Sequence, residues 1–118
     1  MKYLFLIHFD EKKLEGLPEN ERRTLYREAY EYYDELVRSG HALAGDPLDS
    51  VQTATTVRIK DGKPSITDGP YMETKEQLGG YILIEARDLD EAIALAAKIP
   101  PARLGGVEVR PIRDMRPQ

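Results

Sequence analysis

KYLFLIHF, Lys2 to Phe9, is the stretch on which the fold turns. It is a short run of aromatic and aliphatic side chains that stops at charged Asp10 and Glu11, the pattern of a buried or central strand. A second run of the same kind, Tyr81 to Ala86, lies far downstream. Within the two, LFLI and YILI place apolar residues at consecutive positions, and consecutive strand residues point to opposite faces. The sheet they build therefore has two apolar faces to cover.

The segments between and after them supply that cover. From about Asn20 to Ser39, Leu25, Ala29, Tyr32 or Tyr33 and Leu36 recur at intervals of three or four, with charges between them, which predicts an amphipathic helix. Gly40 provides a left-handed stop, and either Pro18 in the first turn or Asn20 as cap can open the helix. His41 to Leu48 reads as a brief strand bent at Gly45 to Pro47. From Ala54 to Lys60, Thr55, Val57 and Ile59 alternate with Thr56, Arg58 and Lys60, and Asp61-Gly62 is a two-residue turn signal, so Lys63 to Thr67 is the return strand of a hairpin. Asp68 to Gly80 reads as a loop. Asp88 with Glu91 three residues on opens a second helix bearing Leu89, Ile93, Ala96 and Ala97, which Pro100-Pro101 ends. Gly106 to Ile112 is a last strand, placed at an edge by its proline.

The order strand, helix, strands, strand, helix, strand predicts an α+β fold: a mainly antiparallel, ferredoxin-like split βαβ arrangement with an inserted hairpin, in one domain spanning 1–118. Two helices cover one face of such a sheet. The other face is left for a second copy, which predicts a homodimer with two sheets packed face to face.

Composition removes several classes of function. With 118 residues the chain is long enough to bury a core without metals or staples. Its 17 basic and 21 acidic residues give a net charge of −4, so there is no basic field to attract nucleic acid. The absence of cysteine excludes disulfides, thiolate metal sites and cysteine nucleophiles together, and two histidines make a poor metal site. The opening apolar run is too short for a signal peptide, and no stretch reaches the ~20 apolar residues of a membrane span. A cytoplasmic protein that neither enters membranes nor binds nucleic acid is expected. No phosphate-binding glycine loop or serine triad can be assembled.

The segment with the most chemistry is TDGPYMETKEQLGGY, Thr67 to Tyr81. Asp68, Glu73, Lys75 and Glu76 are crowded into one loop, with Gly69, Gly79 and Gly80 permitting close backbone approach. A carboxylate there can serve as a general base or hold a lysine in place. Alternatively Asp68 accepts backbone N–H bonds in its own turn, Pro70 fixes that turn, and Glu73 and Lys75 are solvated.

This stretch resembles the DGPF-type motif of the YCII-related domain family, in which a DGPF and ETKEQLGGY run recurs. The resemblance extends to the KYLFLIH strand, the ATTVRIKDGK hairpin, the LDEAIALAAKIP helix and the GGVEVRPI strand, nearly the whole chain. It implies a dimeric α/β barrel of ferredoxin-like subunits, similar to muconolactone-isomerase-type proteins, most of them without an assigned reaction. Tyr71 stands where the motif has phenylalanine and Met72 where it has alanine; Tyr71 adds a hydroxyl. The histidine and aspartate pair attributed to some members takes its histidine from the first helix, where this chain has Tyr26 and Tyr30, so that pair does not transfer.

His8 lies on the strand face opposite Ile7 and Phe9. Paired with Asp68 across the sheet it would be an acid/base residue at neutral pH; alone it is a strand-end side chain touching solvent. Tyr26, Tyr30, Tyr32 and Tyr33 set four phenols within about two helical turns. Packing is their simplest role, but Tyr26, Tyr30 and Tyr33 share a face that can line a pocket for an aromatic or lactone-like ligand.

Two hypotheses follow. One is a cofactor-free small-molecule enzyme of the isomerase, lyase or dehalogenase type, with Asp68 and His8 as proton-transfer groups and Phe5, Tyr26, Tyr30, Tyr71, Glu73, Lys75 and Tyr81 as substrate-binding residues. The other is a non-catalytic ligand-binding or regulatory module, since similar domains accompany sigma-factor-type transcription regulators; beyond both, the barrel can be a scaffold whose function lies in its dimer surface.

Overall fold

The computed structural model describes residues 1–117. Six strands, β1 (Lys2–Phe9), β2 (Ala42–Pro47), β3 (Thr55–Lys60), β4 (Lys63–Asp68), β5 (Gln77–Glu85) and β6 (Gly105–Pro111), alternate with three helices, α1 (Glu11–Glu15), α2 (Glu19–Arg38) and α3 (Leu89–Ala96). The strands form two separate sheets. One has four strands in the order β2, β5, β1, β6; the other is the β3–β4 hairpin.

Every ladder is antiparallel. Strands β1 and β2 therefore run parallel with β5 between them, and β5 and β6 run parallel with β1 between them. Each parallel pair is joined by a crossover containing a helix, α2 in the first and α3 in the second. The sheet is open, not a closed barrel, and its proline-bearing strand β6 lies at an edge as expected.

Register sorts the side chains by face. Phe5 lies opposite Ile82 and Val109, Tyr3 opposite Ile84, and Ile7 opposite Gly80 and Val107. Tyr3, Phe5, Ile7, Ile82 and Ile84 pack with Leu36, Ala92, Ala96 and Ile99 in the core between sheet and helices. Leu4, Leu6, Tyr81 and Leu83 alternate with them along the same strands, half-buried on the face away from the helices. Both strands are thus apolar on both faces, and only one face is covered.

Helix α2 starts at Glu19, after a Pro18 that offers no side-chain cap, so neither expected opening residue serves as expected. Its end is as read. Gly40 has φ +79°, its N–H donates to Val37 O and that of His41 donates to Leu36 O, a complete Schellman closure. Tyr32 donates its hydroxyl to Leu95 O at 2.6 Å, tying α2 to α3. Asp88 caps α3 by accepting from Glu91 N at 2.9 Å, while Glu91 accepts from Arg87 N at 2.9 Å, one residue earlier than the usual reciprocal bond.

Two boundaries differ from the expectation. Helix α1 was not foreseen: Asp10, read as the end of a strand, caps it by accepting from Lys12 N at 2.9 Å and Lys13 N at 3.3 Å. Strand β5 begins at Gln77, ahead of the apolar run: Gly80 pairs with Ile7 and Leu78 with His8, and Gly79 between them is the extra residue of a register shift. A Cβ on Gly79 would stand 2.1 Å from the Phe9 ring.

Candidate functional site

The uncovered face of the four-stranded sheet gathers the polar residues nearest to a site. Tyr81 lies opposite Leu6 on β1 and Asp46 on β2, so all three share that face. The Tyr81 hydroxyl donates to Asp46 Oδ2 at 3.1 Å. That hydrogen bond, reinforced by the negative charge of Asp46, raises the pKa of the Tyr81 phenol above its ordinary value. A phenol so held stays neutral, with its oxygen lone pairs available to a ligand's hydroxyl.

His8 is on the same face, one pleat along from Leu6. The register between β1 and β5 shifts at Ile7/His8, so that Ile7 meets Gly80 and His8 meets Leu78. On its other side His8 lies opposite Gly106, where an added Cβ would meet nothing within 4 Å. The imidazole is half-buried, with open space at its β6 flank. An imidazole, a neutral phenol and a carboxylate thus share one uncovered face with Leu4, Leu6 and Leu83, beside exposed Glu108 and Arg110, which lie opposite Leu6 and Leu4 on β6.

The remaining predicted residues lie elsewhere. Asp68 ends β4, opposite Thr55 in the separate hairpin sheet, and is exposed. The pairing of His8 with Asp68 across one sheet is therefore not formed. The turn at Asp68 is also not held by its carboxylate: Gly69, at φ +111°, donates to Ala54 O at 2.8 Å, and Thr56 donates its hydroxyl to Gly69 O at 2.8 Å. Tyr71 lies under the Arg58 guanidinium, 4.4 Å from ring centroid to Cζ. Glu73 and Lys75 are exposed in the segment that follows.

Phe5 is fully buried on the helix side, so it and Tyr81 lie on opposite faces. Tyr26 and Tyr30 project outward from α2, while Tyr32 and Tyr33 pack on the core. The stripe of Tyr26, Tyr30 and Tyr33 is thereby divided between solvent and interior. A groove of 680 Å³ does exist, between α3 and β6, lined by Ile93, Ile99, Val107 and Val109, but it includes none of the predicted site residues. The residue that sequence reasoning passed over is Asp46, inside the Gly45 to Pro47 segment read only as a bend. The signal available was its place two residues after Ala44 on a short strand, which aims it at the same face.

Comparison with known proteins agrees with this architecture. The chain belongs to the YCII-related domain family, whose model matches residues 1–116. It is 32% identical over 119 residues to an uncharacterized protein of Rhizobium meliloti (strain 1021), covering 99% of this chain and 96% of that one. Among solved structures, it is similar in fold to 5-chloro-2-hydroxyhydroquinone dehydrochlorinase from Burkholderia phenoliruptrix AC1100 in complex with 2,5-dihydroxybenzoquinone. That match has a TM-score of 0.56 and 17% identity, and covers 96% of this chain and 94% of the other.

Proposed function

We propose that this YCII-related protein is a cofactor-free enzyme that moves protons on a small hydroxylated or quinoid ring, in a homodimer of ferredoxin-like subunits. The observation that carries the reading is the shared face of His8, Tyr81 and Asp46, with Tyr81 fixed 3.1 Å from Asp46. His8 is the proton-transfer group, because an imidazole exchanges protons readily near neutral pH. Tyr81 donates to Asp46 and accepts a hydrogen bond from a substrate hydroxyl, which orients the ring over Leu4, Leu6 and Leu83.

The substrate class rests on the leucine floor beside the polar groups of His8, Tyr81 and Asp46, bounded on β6 by Glu108 and Arg110, which suits a flat ring bearing oxygen, and on the ligand and activity of the dehydrochlorinase that shares the fold. The second subunit supplies the missing wall, since no helix of the same chain covers this face. Elimination on such a ring needs a base to take a proton as the leaving group departs with its electron pair; isomerisation needs the same proton returned at another carbon.

The test is calorimetric titration with 2,5-dihydroxybenzoquinone, followed by turnover assays on a panel of chlorinated and unchlorinated trihydroxybenzenes. Binding that Tyr81→Phe weakens, with turnover that His8→Ala lowers by about 100-fold or more, is expected. Binding without turnover of any panel member would assign the protein to the non-catalytic, ligand-holding class instead. Absence of binding, or turnover indifferent to His8→Ala and Tyr81→Phe, would overturn the site.

A further inference from the structure

We propose that the β3–β4 hairpin is an intersubunit arm whose apolar face docks on a second copy of this chain. Opposed residues of an antiparallel pair share a face, so Val57 with Ile66 and Ile59 with Pro64 form one side of the hairpin. Val57, Ile59 and Ile66 are 57%, 69% and 70% exposed. The other side is polar and is touched by the chain itself: the Thr56 hydroxyl reaches Gly69 O and Tyr71 packs under Arg58. An isolated two-stranded hairpin is at best marginally stable in water. One that turns its branched aliphatic side outward, apart from its own four-stranded sheet, needs a covering surface.

Surface area identifies the occupant. The chain exposes 8610 Å², whereas a compact monomer of 13.4 kDa exposes about 6500 Å². The excess, about 2100 Å², is more than twice the ~800 Å² that each partner contributes to a stable protein interface. The Cα radius of gyration is 16.2 Å, against about 13.5 Å for a compact domain of this length. The molecule is 49 × 46 × 19 Å, a thin plate and not a sphere.

Charge points to a second copy as well. Residues 55–68 carry Arg58, Lys60 and Lys63 against Asp61 and Asp68, a net charge of +1, so the remainder of the chain carries −5. Lys60 and Lys63 stand directly opposite one another at the tip, a like-charge pair that an acidic neighbour would relieve. An arm that is basic at its tip and aliphatic on one side complements an acidic body whose uncovered sheet face carries Leu4, Leu6 and Leu83 beside Asp46, Glu108 and Arg110. A two-fold dimer satisfies both arms at once.

This inference rests on the dimer proposed above, and the experiment separates the two. The association constant is measured by sedimentation for the wild type, for Val57→Asp/Ile66→Asp on the arm and for Leu6→Asp on the open sheet face, with circular dichroism confirming the fold. A wild-type dimer that the arm variant weakens about tenfold or more supports the arm. A wild-type monomer at high micromolar concentration overturns arm and dimer together. Dimerisation that Leu6→Asp weakens and the arm variant leaves intact overturns the arm alone. Should the arm variant fail to fold, amide exchange of residues 55–68 in the wild type decides: protection lost on dilution below the dissociation constant is expected, and protection equal at both concentrations overturns the arm.

Discussion

Replacing Gly79 by alanine tests the register that places His8. The new Cβ would lie 2.1 Å from Cε1 and 2.2 Å from Cζ of Phe9, where ordinary carbon contacts are about 3.5–4.0 Å. Phe9 must swing by more than an ångström, and its ring is packed against the core cluster at the end of β1. Forcing an extra methyl into such a contact costs about 1–3 kcal/mol, which for a domain of this size lowers Tm by roughly 4–12 °C. Urea denaturation followed by circular dichroism measures the loss. The obstacle is a side chain, so trimming it relieves the clash: in a Phe9→Leu background the same Gly79→Ala change costs under about 0.5 kcal/mol, giving a strongly non-additive cycle. Gly105 provides the contrast. Its added Cβ would meet His8 O at 2.1 Å and Phe9 Cα at 2.7 Å, backbone that no truncation removes, so Gly105→Ala stays destabilising in both backgrounds. A Gly79→Ala protein as stable as wild type, or a deficit that persists undiminished in the Phe9→Leu background, would refute this account of the register shift at Gly79.

Other expectations are simpler. Asp68→Ala changes stability by less than about 0.5 kcal/mol, because Gly69 N–H and the Thr56 hydroxyl hold that turn; a thermal loss equivalent to about 1 kcal/mol or more would show its carboxylate capping the turn. Burial, with the Glu35 carboxylate nearby, pushes the Tyr32 phenol from 10.0 up to about 12. The unfolded phenol therefore ionises first, and the stability gained from burying it neutral, whole below pH 10, is lost as pH climbs through about 12. In Tyr32→Phe that alkaline decline shrinks, read by denaturation at a series of pH values, at a cost near neutrality of about 1 kcal/mol for the lost bond to Leu95. Asp46→Asn lowers the titration of Tyr81 toward the ordinary phenol range, measured by ultraviolet difference against Tyr81→Phe; an unchanged tyrosinate curve would mean the pair is not formed in solution.

Much of the fold can be read from residue pattern alone, because period and punctuation agree there. Lys2–Phe9, the long helix closed at Gly40, the Asp61-Gly62 hairpin and the Asp88 cap each carry a local signal that tertiary packing does not contradict. The misreadings have local causes too. Helix α1 has only five residues, too few for periodicity to register, and its one signal, Asp10, also marks the end of a strand. The start of β5 was hidden because two glycines weaken any strand pattern, and what leaves no room for a side chain at Gly79 is the Phe9 ring, far upstream in the chain. The site was less legible for the same reason. That Tyr81 meets Asp46, and that Phe5 faces away from both, are facts of register between strands whose order along the chain does not announce their neighbours.

The strand order also sets a timetable for folding. Strand β1 is made first among the strands and ends at the centre of the sheet, yet both its neighbours come from the far part of the chain, β5 at Gln77–Glu85 and β6 at Gly105–Pro111. Until those segments are synthesised, KYLFLIHF has no strand to pair with and only α2 to shelter it. Pairings this distant in sequence close slowly, on the millisecond-to-second scale typical of sheet-dominated domains. The nascent chain thus carries an unpaired, sticky segment through most of its synthesis, and chaperone demand and inclusion-body formation should respond to changes in residues 105–111 more than to changes in the hairpin.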